Sequence, residues 1–294
     1  MNKNRITVFT PTYNRANLLP RVYESLLKQT NQNFEWVVVD DGSTDGTSAF
    51  INQCILEHKI DITYYLQVNQ GKHYAINKGL SFAKGILFFI VDSDDFLPAD
   101  ALELVINQYE KIKEDTSIAA VAGRRMYDSG EIVGSSNFDE IVSNSIDIRY
   151  KYNVTGDLVE VFRTDVLRQF QFPEIENEKF CAESLVWNRI AEKYNIFFFN
   201  KGIYTTEYLP GGLTSNIVKI RMKSPLGAML CYSELEGYSI PFTQKIKANI
   251  NFWRFYFNSK KSISEKIKSV NIINSLIGFP VGFFMYLNDS RKNK

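Results

Sequence analysis

The chain has 294 residues, 45% hydrophobic and 23% charged, with 34 Lys plus Arg against 33 Asp plus Glu. That is the composition of a globular protein with a substantial core, and the even charge excludes a nucleic-acid coat and an acidic chaperone, so any charge-based function is local. Cys54, Cys181 and Cys231 are odd in number and widely spaced, which excludes a disulfide framework or CxxC zinc site and fits a reducing compartment.

The opening residues, MNKNRITVFT, contain no long apolar stretch, so no secretory signal is expected and a cytoplasmic location is the default. Short β-rich apolar runs follow at 6–9, 34–39, 62–66, 87–91 and 118–122. Between them, Leu18, Val22 and Leu26, and later Ala75, Ile76, Leu80 and Ala83, recur at helical spacing. Strands alternating with helices predict an α/β fold with a mostly parallel sheet flanked by helices, and ligands in such sheets bind beyond the carboxyl ends of the strands. There the polar motifs fall: TPTYNR (10–15), DDGSTDGT (40–47), NQGKHYAINKG (69–79) and DSDD (92–95). Each alone is ordinary turn chemistry, and Ser43, Thr44 and Asp45 read mostly as caps; four on one edge read as a site. A helix over 98–109 follows the last of them.

Past residue 150 the pattern changes. Leu185, Val186, Trp187, Ile190 and Tyr194 mark an amphipathic helix, and IFFF (196–199) a strand. From Asn216 onward only helical spacing persists, with Ile246, Ile250, Trp253 and Phe257 as a packing stripe. The predicted division is an α/β domain over 1–215, with halves 1–100 and 101–215, and a helical region over 216–294. The last apolar run, 275–287, is too short to span a bilayer and is interrupted by Pro280. Flanked by Lys266, Lys268, Arg291, Lys292 and Lys294, it reads either as a packed helix or as a peripheral contact with an anionic membrane surface.

Asp92, Asp94 and Asp95 place three carboxylates within four positions at a strand end. Their repulsion calls for compensation, and an Asp-x-Asp pair can share a hard divalent cation that leaves positions open for phosphate oxygens. Asp95 also reads as a helix-capping acid. Neither GxGxxG nor GxxxxGK[ST] is present, so the dinucleotide and P-loop mechanisms lose their warrant; Lys72 is the candidate to hold a diphosphate. Tyr13 is placed to stack on a base and Asp41 to accept from a base or ribose, and each equally suits a turn.

The stretch from VFTPTYNRANLLPR to VVVDDGSTDGT, with GKHYAINKG and FIVDSDDF, resembles the nucleotide-sugar half of a family 2 glycosyltransferase of GT-A fold, over roughly the first 100 residues. The resemblance implies a mixed, mostly parallel sheet, a nucleoside diphosphate sugar donor with UDP favoured, Mn²⁺ or Mg²⁺ as cofactor, and transfer with inversion to a glycan or lipid-linked acceptor, at the inner face of a membrane. By position, Thr10, Pro11, Tyr13 and Asp41 correspond to base and ribose contacts, and Asp92 and Asp94 to the Asp-x-Asp motif, with Asp94 the direct metal ligand. The family's base is usually the aspartate of a Glu-Asp pair opening a helix. Here the matching positions are Ala182 and Glu183, which makes Glu183 the expected catalytic base and departs from the family at both. Asp157 falls where the family faces the donor sugar, and loop 205–216 where it faces the acceptor.

Two alternatives remain. A non-catalytic nucleotide-sugar binding module is kept open by Ala182, and a nucleotidyltransferase is disfavoured by the lack of a basic Gly-rich segment near the start. No nucleic-acid partner is expected.

Overall fold

A computed structural model describes residues 6–206, 213–259 and 270–292. Strands β1 (Ile6–Thr12) and β2 (Phe34–Asp40) are buried at every position, as expected of parallel strands covered on both faces. Helix α1 (Leu19–Leu27), with proline in its first turn where no amide donor is lost, turns Leu19, Val22, Tyr23 and Leu26 inward. There Tyr23 stacks on Trp36 of β2 with ring centroids 6.0 Å apart. Each such side chain contributes about 1.5–3 kcal/mol of burial.

The chain continues through α2 (Thr47–Leu56), β3 (Ile62–Leu66), α3 (Lys72–Phe82), β4 (Leu87–Ile90) and α4 (Ala101–Ile112). Helix α3 lies directly on β1 because Gly79 has no side chain: a Cβ there would come within 2.2 Å of the Phe9 ring. Helix α4 starts three residues later than the sequence predicts. The Pro98 carbonyl accepts from the Ala101 N–H at 3.1 Å and from Gln29 Nε2 at 2.7 Å, which makes 98–100 a turn, and Gln29 Oε1 then accepts from the Leu102 N–H at 3.1 Å.

Next come β5 (Ile118–Met126), β6 (Glu140–Ser143), α5 (Asp147–Tyr150), β7 (Leu158–Arg163), α6 (Thr164–Leu167), α7 (Glu183–Ala191) and β8 (Asn195–Thr205). The eight strands form one sheet in the order β3-β2-β1-β4-β7-β5-β8-β6. β3, β2, β1 and β4 run parallel, β7 is antiparallel to both β4 and β5, β8 is parallel to β5, and β6 is antiparallel to β8. The five runs read from sequence and IFFF all fall on these strands, with Val91 one residue beyond the end of β4. β6 and β7 were not anticipated. β7 is inserted at the middle of the sheet, so Leu158, Val159, Val161 and Phe162 are all buried and no in-out alternation marks it; β6 is a four-residue edge strand.

Four helices follow among the described residues: α8 (Leu213–Lys223), α9 (Pro225–Gly237), α10 (Phe242–Tyr256) and α11 (Ile272–Lys292). The chain divides into two compact units, Met1–Gln171 with Arg189–Glu207, and Phe172–Asn188 with Tyr208–Lys294. All eight strands are in the first. In the second, the Glu178 carboxylate accepts from the Leu226 and Gly227 N–H groups at 2.6 and 2.7 Å, placing a negative charge at the start of α9, where the helix dipole favours it. Of the predicted stripe on α10 only Trp253 is buried. The inward face is Ala248, Asn249, Phe252, Trp253 and Phe255, because a polar network at Glu236 draws Asn249 inside. Pro280 does not interrupt the last apolar run: α11 continues through it, and the proline and Leu276 one turn earlier are both exposed, so the freed carbonyl can meet water. No described helix is long and apolar enough to cross a membrane.

Candidate active site

The carboxyl ends of β1, β2, β3 and β4 bring the four polar loops together in the first unit. The loop after β1 is fastened to the loop after β2: the Asn14 N–H donates to Ser43 Oγ at 2.8 Å, the Thr44 N–H to Asn14 Oδ1 at 2.8 Å, and the Ala16 N–H to Asp45 Oδ2 at 3.0 Å. Asn14 reaches this position with φ of 51°, a left-handed conformation that asparagine tolerates. Asp45 also takes the Thr47 N–H at 3.0 Å, so the residues read as caps tie two loops together as well.

Asp41 organises the loop after β3. Its carboxylate accepts from Gln67 Nε2 and from the backbone N–H groups of Gln70 and Gly71, each at 2.8 Å. Gly71, at φ 103°, supplies a backbone conformation that a side chain would resist, and it delivers Lys72 as the first residue of α3. Three of the four acceptor positions of Asp41 are thereby filled, and one is left for a ligand. Thr10 is fully buried and its hydroxyl accepts from Trp36 Nε1 at 3.0 Å, which commits its side chain to the sheet. Pro11 is buried; Tyr13, 49% exposed, stands open at the edge.

The acids after β4 are compensated by side chains. Asp92 is paired with Lys72, and Arg125 from the end of β5 lies 3.7 Å from Asp92 and 3.2 Å from Asp95. Arg15 lies 3.9 Å from Asp94. Part of the expected charge repulsion is therefore relieved by three basic residues. Arg125 is stacked over the Tyr204 ring of β8, 4.4 Å from its centroid, and the Tyr204 hydroxyl accepts from the Asp92 N–H at 2.9 Å.

Burial raises the carboxyl of Asp92, and the nearby Lys72 and Arg125 outweigh it, holding the group below its ordinary value. Asp95 goes the other way: burial first and Asp92 second push it up to about 6, against Arg125 and hydrogen bonds from Tyr204 and Thr206. Burial disfavours the charge of Arg125, but Tyr204, Asp92, Asp95 and Asp157 more than offset it, so it is held as a cation. Asp157 is exposed, and its carbonyl accepts from the Arg125 N–H at 3.4 Å.

Among the described residues, no three His, Cys, Asp or Glu side chains converge in a metal-holding group. With Asp92 held by two cations, the half-exposed Asp94 is the carboxylate with room for a divalent ion. The donor set fits an ion held by one protein carboxylate and otherwise by phosphate oxygens and water, and does not fit an all-protein cage. Glu183 opens α7 in the second unit and is half-buried; its helix is seated there by Leu185 and Val186 and by Trp187 against Phe172, with centroids 5.9 Å apart. Of the expected loop 205–216, Thr205 ends β8, 213–216 belong to α8 and 207–212 lie outside the described residues. Arg125, Tyr204 and Arg15 were missed from sequence; extending the fifth strand past Ala122 to Met126 would have put Arg125 at the same edge.

The model described as Glycosyl transferase family 2 matches residues 7–170. Glycosyltransferase GlyA of Streptococcus pneumoniae is 34% identical over 148 residues, 48% of this chain and 20% of the relative, so the match takes in only a fifth of that relative's length. Among solved structures, S. aureus TarS 1-349 in complex with UDP-GlcNAc superposes with a TM-score of 0.65 at 20% identity, covering 98% of this chain and 89% of that one. The mannosyltransferase PcManGT from Pyrobaculum calidifontis, in complex with GDP-Man and Mn²⁺, gives 0.58 at 18%, covering 100% and 89%. The fold is the GT-A arrangement: a mixed, mostly parallel sheet flanked by helices, with further helices at the C-terminus.

Proposed function

Because the chain belongs to glycosyl transferase family 2, we propose that it transfers a sugar, with inversion, from a nucleoside diphosphate sugar to a glycan or lipid-linked acceptor, residues 1–215 forming the transferase domain. A UDP-sugar is the favoured donor, by analogy with the ligand of the TarS neighbour. The observation that carries this reading is the acid cluster at the end of β4, balanced by Lys72, Arg125 and Arg15 and opened to solvent at Asp94.

In this reading Tyr13 stacks on the base, Pro11 and the backbone at Thr10 wall the nucleotide, and Asp41 takes a base or ribose donor with its remaining acceptor position. Asp92, with its carboxylate held by Lys72 and Arg125, receives the ribose and metal side of the donor. Lys72 can exchange its partner for a diphosphate oxygen with little movement, since both are oxyanions. Asp94 is the protein ligand of Mn²⁺ or Mg²⁺, which when bound supplies Lewis-acid stabilisation of the departing diphosphate. The acceptor hydroxyl oxygen forms the new bond to C1 as the bond from C1 to the diphosphate oxygen breaks, and Glu183 takes the hydroxyl proton. Ala182, in place of the family's glutamate, favours a second reading, a binding module that holds the donor without turnover.

A panel of UDP- and GDP-sugars assayed with Mn²⁺ tests both. Turnover of at least one donor is expected, with Asp94→Ala lowering it by about 10²–10³-fold and Glu183→Gln by about 10²–10⁴-fold while donor affinity stays intact in the Gln variant. Absence of donor binding with metal present sinks the transferase reading. Binding without turnover on any acceptor favours the module.

A further inference from the structure

Helix α11 presents its sides in reverse of an ordinary amphipathic helix. Its inward residues are polar or lack a side chain: Asn274, Gly278, Gly282 and Asp289 are buried. Asn274 donates to Glu236 at 2.6 Å, Ser275 Oγ accepts from Trp253 Nε1 at 3.0 Å, and Asp289 accepts from Arg254 at 2.6 and 3.0 Å. The glycines allow close contact with α10: a Cβ on Gly282 would come within 2.6 Å of the Ile250 carbonyl. Outward stand Ile272, Ile273, Leu276, Ile277, Val281 and Phe284, from 39% to 76% exposed, while Phe279 and Phe283 stand at the rim, Phe279 with its ring 5.0 Å from that of Trp253 and Phe283 with its ring 5.1 Å from that of Phe257.

At about 100° per residue the six outward side chains sweep an arc of about 180°. From residue 272 to 288 the sequence contains no charged residue, and cations crowd both flanks: Lys260, Lys261, Lys266 and Lys268 before it, with Glu265 the sole acid among them, and Arg291, Lys292 and Lys294 after it. A surface of this size and polarity marks an interaction site.

We propose that the outer face of α11 docks in the plane of an anionic lipid surface. Two features select lipid over a second copy of the chain. The arc is convex and wider than the seam, about two residues in seven, that one helix offers another, whereas an acyl layer yields around a half-cylinder. Arg291 and Lys292 in its last turn complement anionic headgroups and would repel their own copies across a symmetric contact. Since no described helix can cross a bilayer, α11 would lie at the interface, its apolar side chains below the headgroups. The docking does not depend on the catalytic reading.

The test is co-sedimentation of the full chain with vesicles of phosphatidylcholine alone and of equal parts phosphatidylcholine and phosphatidylglycerol, at low and high salt. Binding to the anionic vesicles is expected, weakened by salt. Leu276→Asp with Phe284→Asp should weaken it about 100-fold or more without lowering Tm, because both side chains point away from the fold. Arg291→Glu with Lys292→Glu should remove the preference for the anionic lipid while the apolar face stays intact. UDP binding by each variant, measured alongside, separates this result from failure of the transferase reading. The proposal is overturned if the wild-type chain ignores anionic vesicles, if the Asp substitutions leave partitioning unchanged, or if sedimentation without lipid reveals a dimer that those substitutions dissolve.

Discussion

Asp92 and Asp95 at the end of β4 face Lys72 and Arg125, whereas the buried Glu236 of α9, among the described residues, faces neutral donors: Asn249 Nδ2 at 3.0 and 3.2 Å, Asn274 Nδ2 at 2.6 Å and the Asn271 N–H at 3.1 Å. Both arrangements satisfy buried carboxylates, by different means. Cations on long side chains can pass from a carboxylate to an incoming phosphate, so the first cluster suits exchange with a ligand. Amides and a backbone N–H point one way and fix geometry, so the second joins α9, α10 and α11 and offers nothing to a ligand.

Removing the shared cation should break the contrast most sharply. Arg125→Met leaves Asp92 and Asp95 facing each other with Lys72 alone, and is expected to lower stability by about 3 kcal/mol and to weaken UDP binding, both measured by thermal shift with and without nucleotide. Arg125→Lys keeps the charge and loses the fork that reaches both acids, so it should recover stability only in part. If Arg125→Met leaves UDP binding unchanged, the cluster is structural like its counterpart.

Glu236→Ala leaves the amide donors of Asn249 and Asn274 short of a partner and should cost about 2 kcal/mol, seen as a lower denaturation midpoint, with nucleotide affinity unchanged. A loss of affinity there would erase the distinction between the two clusters.

The smallest effect is on pH dependence. Asp95 is raised from 3.8 to about 6 in the fold, so the folded chain holds its proton more tightly than the unfolded chain. Its stabilising contribution is complete below 3.8 and is lost as pH rises through about 6. Asp95→Asn should flatten that fall between pH 4 and pH 7, the comparison being the difference in Tm from wild type at each pH; an equal difference across the range refutes the assignment.

Much of this protein was legible in its sequence. Of the strands at the ends of which the motifs sit, β1, β2 and most of β4 are buried on both faces and so read as unbroken apolar runs, whereas β3 is a half-exposed edge strand marked by its β-formers, and the turn residues at their carboxyl ends are local chemistry that a sequence displays. That placed Tyr13, Asp41, Lys72, Asp92 and Asp94 on one edge. What the sequence could not display was pairing across distance. The position of β7 between β4 and β5, the reach of Arg125 from β5 to acids 30 and 33 residues earlier, and the commitment of Thr10 to Trp36 depend on which strands neighbour one another, and that is decided by the packed sheet. The same holds for α11: hydropathy marked its apolar run, but only the tertiary structure turned that run outward, because buried Glu236 and Arg254 draw the helix's Asn274 and Asp289 inward.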